Sequence, residues 1–96
     1  MSVDELRNVL REHRRELNEY GVKNIAIFGS VVRHEEKPDS DIDLLIDFDS
    51  KRGLFVFIDL KAYLEKLLGK KVDLVTRNAL HPALKDKIIR EAQDAF

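Results

Sequence analysis

A short stretch of this chain holds residues whose types and spacing suit phosphate chemistry. Gly29 and Ser30 follow the apolar run Ile25-Ala26-Ile27-Phe28, and Asp41-Ile42-Asp43 comes after ten intervening residues. A Gly-Ser turn leaving a buried strand presents backbone N–H groups to an anion, the arrangement that makes a phosphate cradle. Glycine permits close backbone approach, and serine adds a hydroxyl donor. Two aspartates two apart on a strand project side by side, with Cα atoms about 6–7 Å apart. Their charges repel unless a cation lies between them, and magnesium is the natural one, since it takes carboxylate and phosphate oxygens. A third carboxylate, Asp73, falls on the polar side of another expected strand. If the two strands are neighbours, three acids converge. Such a cluster can hold two metal ions against the entering and leaving oxygens of a phosphoryl or nucleotidyl transfer, and can supply a base. The bland alternative is a solvated strand face beside an ordinary turn.

The elements that must position these residues are legible in outline. Ser2 and Glu5 form a capping box, and Leu6, Val9, Leu10, Leu17 and Tyr20 share a helical stripe ended by Gly21. Val22–Phe28 reads as a strand, followed by the Gly29-Ser30 break and a short helical turn at Val31-Val32-Arg33. Pro38 forbids any longer helix before Asp41. From Asp41 to Phe48 the pattern has period two: Ile42, Leu44, Ile46 and Phe48 on one face, Asp41, Asp43 and Asp47 on the other. A helix is expected from Leu54 to Leu68, with Phe57, Leu60, Leu64 and Leu67 inward and Gly69 as its stop. Lys71–Thr76 reads as a third strand. His81-Pro82 opens a last helix with Leu84, Ile88 and Ala92 as its stripe. The order αβαβαβα implies an α/β (α+β) fold, helices packed on one small mixed sheet.

Composition narrows the function classes. The 96 residues correspond to one domain, residues 1–96, with 44% hydrophobic and 36% charged residues. A net charge of −1 argues against a general nucleic-acid coat, which needs a basic surface. With no cysteine, disulfides, thiolate nucleophiles and Cys-based zinc sites are excluded. No apolar run approaches the ~20 residues that span a bilayer, and the charged N-terminus lacks a signal-peptide stretch. The cytoplasm is therefore the expected compartment.

Gly29-Ser30, ten residues, then Asp41-x-Asp43 resembles the signature of the polymerase-β-like nucleotidyltransferase superfamily. The whole chain resembles its smallest branch, the minimal nucleotidyltransferases. The flank Pro38-Asp39-Ser40-Asp41-Ile42-Asp43-Leu44-Leu45 and the tail from Ala79-Leu80 to Ile88-Ile89-Arg90-Glu91-Ala92 match that branch as well. The resemblance implies a palm-like nucleotidyltransferase fold, with Gly29 and Ser30 binding ATP, Asp41 and Asp43 chelating Mg2+, and Asp73 completing a two-ion triad. It further implies an antitoxin that transfers AMP to a tyrosine of a HEPN-domain RNase toxin. A binding module that neutralises its partner by occlusion is the alternative. A small-molecule or RNA nucleotidyltransferase is disfavoured, since larger relatives need a further domain to hold those acceptors. One departure stands out: relatives commonly have Arg-Gly after the turn, and here Arg33 is followed by His34.

Arg33, one turn past Ser30, is either a phosphate ligand or a solvated side chain. Asp47 lies too far along its strand and is read as a non-ligand, and Asp39 as a turn residue. His13, His34 and His81 have no metal-ligand spacing; His34 alone lies near the proposed site. Tyr20 and Tyr63 read as packing residues. Ile89 and Phe96 fall off the last helix's stripe, which suits either a partner surface or a frayed C-terminus.

Overall fold

Four strands form one mixed sheet, and the pleat of its two middle strands decides what lies on each face. The structure is a computed structural model that describes residues 1–96. The strands are β1 (Val22–Phe28), β2 (Ile42–Phe48), β3 (Val72–Thr76) and β4 (Gln93–Asp94), in the order β3-β2-β1-β4. β1 runs antiparallel to β2 and β4, whereas β2 and β3 are parallel. A parallel pair needs a crossover. Helix α3 (Gly53–Leu68) provides it, ending at Gly69 in the left-handed region.

On one face of the sheet, Ile25, Ile27, Ile42, Leu44, Ile46, Val72 and Leu74 meet Leu6, Leu10, Leu17, Leu60, Leu64 and Leu68 from the helices. Each such side chain contributes about 1.5–3 kcal/mol on full burial, so this face anchors the fold. The other face is smaller. Ala26, Phe28 and Leu45 form its centre, with Val75, Leu80, Ile88 and Ala92 against them, Ile88 from helix α4 (Pro82–Glu91) and Ala92 from the residue that caps it. Asp43 and Asp73 occupy this second face, because they alternate with Leu44, Val72 and Leu74 of the first.

The N-terminal helix expected as one piece is two, α1 (Val3–Glu12) and α2 (Arg14–Glu19). His13 separates them at φ −106°, ψ 19°, with its Nδ1 2.9 Å from the Val9 carbonyl. A side chain held on the i−4 carbonyl is a recognised companion of a bend. Both expected caps form: Ser2 Oγ accepts from Glu5 N–H at 3.1 Å, and His81 Nδ1 accepts from Ala83 N–H at 3.1 Å. No full helix forms between β1 and β2; the Gly29 carbonyl accepts from Val32 and Arg33 N–H in a single turn.

The C-terminal segment differs most from the sequence reading. It forms β4, the Phe96 carbonyl accepts from Ile25 N–H at 3.1 Å, and Ala95 is fully buried. Phe96 is tied down and does not hang free: its ring packs on the main core, with the Arg14 guanidinium 5.2 Å from its centroid. Ile89 is exposed as expected, but so is Leu84, at 54%, which does not join Ile88 and Ala92 on the second-face cluster. No helix is long and apolar enough to cross a membrane.

Candidate active site

Strand register assembles the site. Phe28, the last residue of β1, pairs with Asp43 on β2, and Asp43 pairs with Asp73 on β3. The turn that leaves β1 at Gly29 therefore begins beside Asp43, whose other neighbour is Asp73. The two carboxylates project from the second face beyond the apolar patch that α4 covers. Asp41 precedes β2 by one residue and is exposed, as is Asp73, while Asp43 is half-buried.

Gly29 is buried with φ +80°, and a Cβ there would overlap the Asp43 carboxylate. Glycine is thus required twice at this position, for its backbone angle and for the space it leaves to Asp43. Its N–H donates to Glu91 Oε1 at 3.0 Å. Next along the turn, the N–H groups of Ser30 and Val31 and the Ser30 hydroxyl have no partner within the chain, so three donors remain free for an anion. At the end of the turn, His34 has φ +58°. This is left-handed backbone, the conformation glycine accepts most easily, so His34 fills a glycine-like position.

Electrostatics single out Asp43. Its pKa is pushed up to about 6, chiefly by burial, then by the negative charges of Asp73 and Asp41, with Arg33 opposing. A carboxylate raised by two neighbouring acids is a place where a cation would be stabilised. The donors are all hard oxygens, which suits Mg2+. No three acidic or histidine side chains converge closely enough to form a finished cage; Asp43 and Asp73 are strand neighbours, and Asp41 stands at the exposed edge. A depression of about 440 Å³ adjoins Asp41, lined also by Pro38, Asp39, Ser40, Lys70 and Lys71.

The remaining candidates separate clearly. Arg33 does not point freely into solvent: its Nη1 donates to both Glu91 carboxylate oxygens at 2.9 and 3.1 Å, and its Nε donates to Glu35 at 3.1 Å. These acidic partners raise its pKa further. Asp47 pairs with Asn24, four residues along β2 from Asp43. His34 N–H donates to the Val31 carbonyl at 3.4 Å, and its side chain makes no hydrogen bond with the rest of the chain. Tyr20 and Tyr63 stack with centroids 5.2 Å apart, in keeping with packing roles. Glu91 is the site residue that sequence reasoning missed. It contacts a turn some sixty positions earlier, and no local spacing could have revealed that.

A comparison with known families decides the class of the site: the nucleotidyltransferase domain matches residues 9–95. The chain belongs to this family. Protein adenylyltransferase MntA of Thermococcus cleftensis is 44% identical over 92 residues, covering 95% of this chain and 93% of that protein. A solved structure described as a candidate minimal nucleotidyltransferase superposes with TM-score 0.82 at 38% identity, covering 97% of this chain and 95% of its own. A toxin–antitoxin crystal structure with AMP-PNP superposes at TM-score 0.72 and 20% identity, covering all of this chain and 73% of that one, a likeness of fold. The mixed sheet with its flanking helices is thus a minimal nucleotidyltransferase fold.

Proposed function

We propose that this nucleotidyltransferase moves AMP from ATP to a tyrosine hydroxyl of a HEPN-domain toxin and so acts as its antitoxin. The observation that carries the reading is the register Phe28–Asp43–Asp73, which sets a turn with free donors against two carboxylates. The 44% identity to a protein adenylyltransferase supports AMP as the transferred group, and the fold likeness to a toxin–antitoxin structure supports a toxin as partner.

In this reading, the Ser30 and Val31 N–H groups and the Ser30 hydroxyl hold triphosphate oxygens, and Arg33 adds positive charge at the end of the turn. Asp41, Asp43 and Asp73 would hold Mg2+, which neutralises the triphosphate and the charge that builds as pyrophosphate leaves. Asp73, exposed at the edge, accepts the proton of the acceptor hydroxyl. The tyrosine oxygen bonds to the α-phosphorus, the bond to the bridging oxygen of pyrophosphate breaks, and the shared electrons leave with it. Such transfer depends mainly on positioning and charge, so an open site on a small sheet suffices once the partner presents its hydroxyl.

Occlusion without transfer is the second reading, and it draws support from α3. Leu54, Phe55 and Ile58 are 68%, 82% and 51% exposed there, a surface suited to covering a partner. Label transfer from α-32P-ATP with Mg2+, using the purified chain and its candidate toxin, separates the two. Transfer predicts label on a toxin tyrosine and none with Asp41→Asn/Asp43→Asn. A toxin silenced equally well by the double variant, without label, would leave occlusion as the mechanism.

A further inference from the structure

The Glu91 carboxylate makes three contacts with one short turn. Glu91 Oε1 accepts from Gly29 N–H at 3.0 Å, and both its oxygens accept from Arg33 Nη1. These contacts bracket Ser30 and Val31, whose N–H groups are the unpartnered ones. Glu91 is also well covered, with 18% of its side chain exposed against 41% for Arg33 and 64% for Glu35. A buried backbone N–H requires an acceptor, and only Glu91 supplies one to Gly29. It sits on the last turn of α4, one residue before Ala92, which packs on the second face of the sheet. The carboxylate therefore joins the end of α4 to a turn that is itself anchored by Val31 in the main core and by the Gly29 and Ser30 carbonyls, which accept from Val32, Arg33 and Glu35 N–H.

We infer that Glu91 is a positioning residue that latches the nucleotide turn to α4, fixing Gly29 and Arg33 so that the Ser30 and Val31 donors face the triphosphate. The latch settles which donors are available: Gly29 N–H is consumed by the protein, and the cradle consists of the next two amides and the serine hydroxyl. Arg33 serves within it as an anchored charge, its Nη1 turned to Glu91. An acid that instead occupied the phosphate position would have to leave before ATP could bind, which makes the opposite prediction for its removal. The inference rests on the nucleotide-binding reading of Gly29 and Ser30.

The test is equilibrium binding of MgATP to the purified chain without acceptor, alongside amide hydrogen exchange at residues 29–31. Glu91→Ala should weaken binding about tenfold or more, the scale of losing charge-assisted hydrogen bonds at a site. Glu91→Gln retains an acceptor oxygen for Gly29 and should recover most of that loss. In the unaltered chain, the Gly29 amide should exchange slowly and those of Ser30 and Val31 quickly until MgATP is added. Tighter binding by Glu91→Ala would show that Glu91 competes with phosphate, and unchanged binding would show that it positions nothing; either overturns the latch. A fast-exchanging Gly29 amide overturns it without any substitution, whatever the variants' folding. Failure of the unaltered chain to bind MgATP would instead refute the nucleotide-site reading, so the two failures are distinct.

Discussion

Replacing Asp43 by asparagine should stabilise the metal-free protein at pH 8 while abolishing transfer. Asp43 is carried from the ordinary aspartate value of 3.8 to about 6 by burial and by the charges of Asp73 and Asp41. Between those values the folded chain keeps a proton that the unfolded chain has released. Stability therefore falls as pH rises through the window from about 4 to 6, and stays at the lower level above it. The full shift corresponds to about 3 kcal/mol. Because Asp43 is only half-buried, solvent screening reduces this to about 1–2 kcal/mol. Asparagine retains the shape and removes the charge, so Asp43→Asn should melt about 5–10 °C higher than the parent at pH 8 in EDTA. The two proteins should approach each other near pH 4, where Asp43 is protonated in the folded chain and pH has fallen almost to the ordinary aspartate value of 3.8 that governs the unfolded one. Thermal unfolding of both chains across pH 4–8 measures the difference directly, carboxylates remote from Asp43 cancelling. Equal melting temperatures at pH 8, or a difference that does not vary with pH, would refute the electrostatic account of Asp43.

Three further outcomes are expected. Transfer at low Mg2+ should increase with pH through about 6 as Asp43 loses its proton, and higher Mg2+ should move that midpoint downward, because metal and proton compete for the same oxygens; a pH–rate series at two Mg2+ concentrations checks this. Gly29→Ala should cost about 1–3 kcal/mol in urea unfolding and lower transfer by about 10²-fold or more, since its methyl group must displace the Asp43 carboxylate. His34→Gly should leave stability within about 1 kcal/mol of the parent, relief at φ +58° offsetting the added chain entropy, whereas His34→Val should lose more than about 1 kcal/mol; chemical denaturation of both separates them.

Much of the site was legible because the pleat of a strand is strict. Period two in Ile42–Phe48 placed Asp43 opposite Leu44, and the same rule placed Asp73 opposite Val72 and Leu74, so only the adjacency of β2 and β3 remained to be observed. Helical stripes were less dependable. Leu84, Ile88 and Ala92 share one helical stripe, yet only Ile88 and Ala92 pack on the second face and Leu84 is exposed. Residues 93–96 carry no strand signal in their composition; β4 exists because the edge of β1 offers unpaired groups that they satisfy. Glu91 was invisible for a related reason. Its role arises from α4 returning across the sheet to the end of β1, a tertiary event to which no local pattern corresponds.

The hairpin-like return of β1 into β2 also bears on how this motif tolerates insertion and deletion. Phe28 and Asp43 face each other because two antiparallel strands are in register, and residues 35–40 merely span the gap between them. Extra residues in that span would lengthen an exposed loop at a small entropic cost and leave Gly29 beside Asp43. One residue added or lost within β2 would exchange the two faces of the strand, sending Asp43 toward the core and Leu44 toward solvent. The two-residue interval between Asp41 and Asp43 is therefore a rigid gauge, while the slack before it lies in residues 35–40.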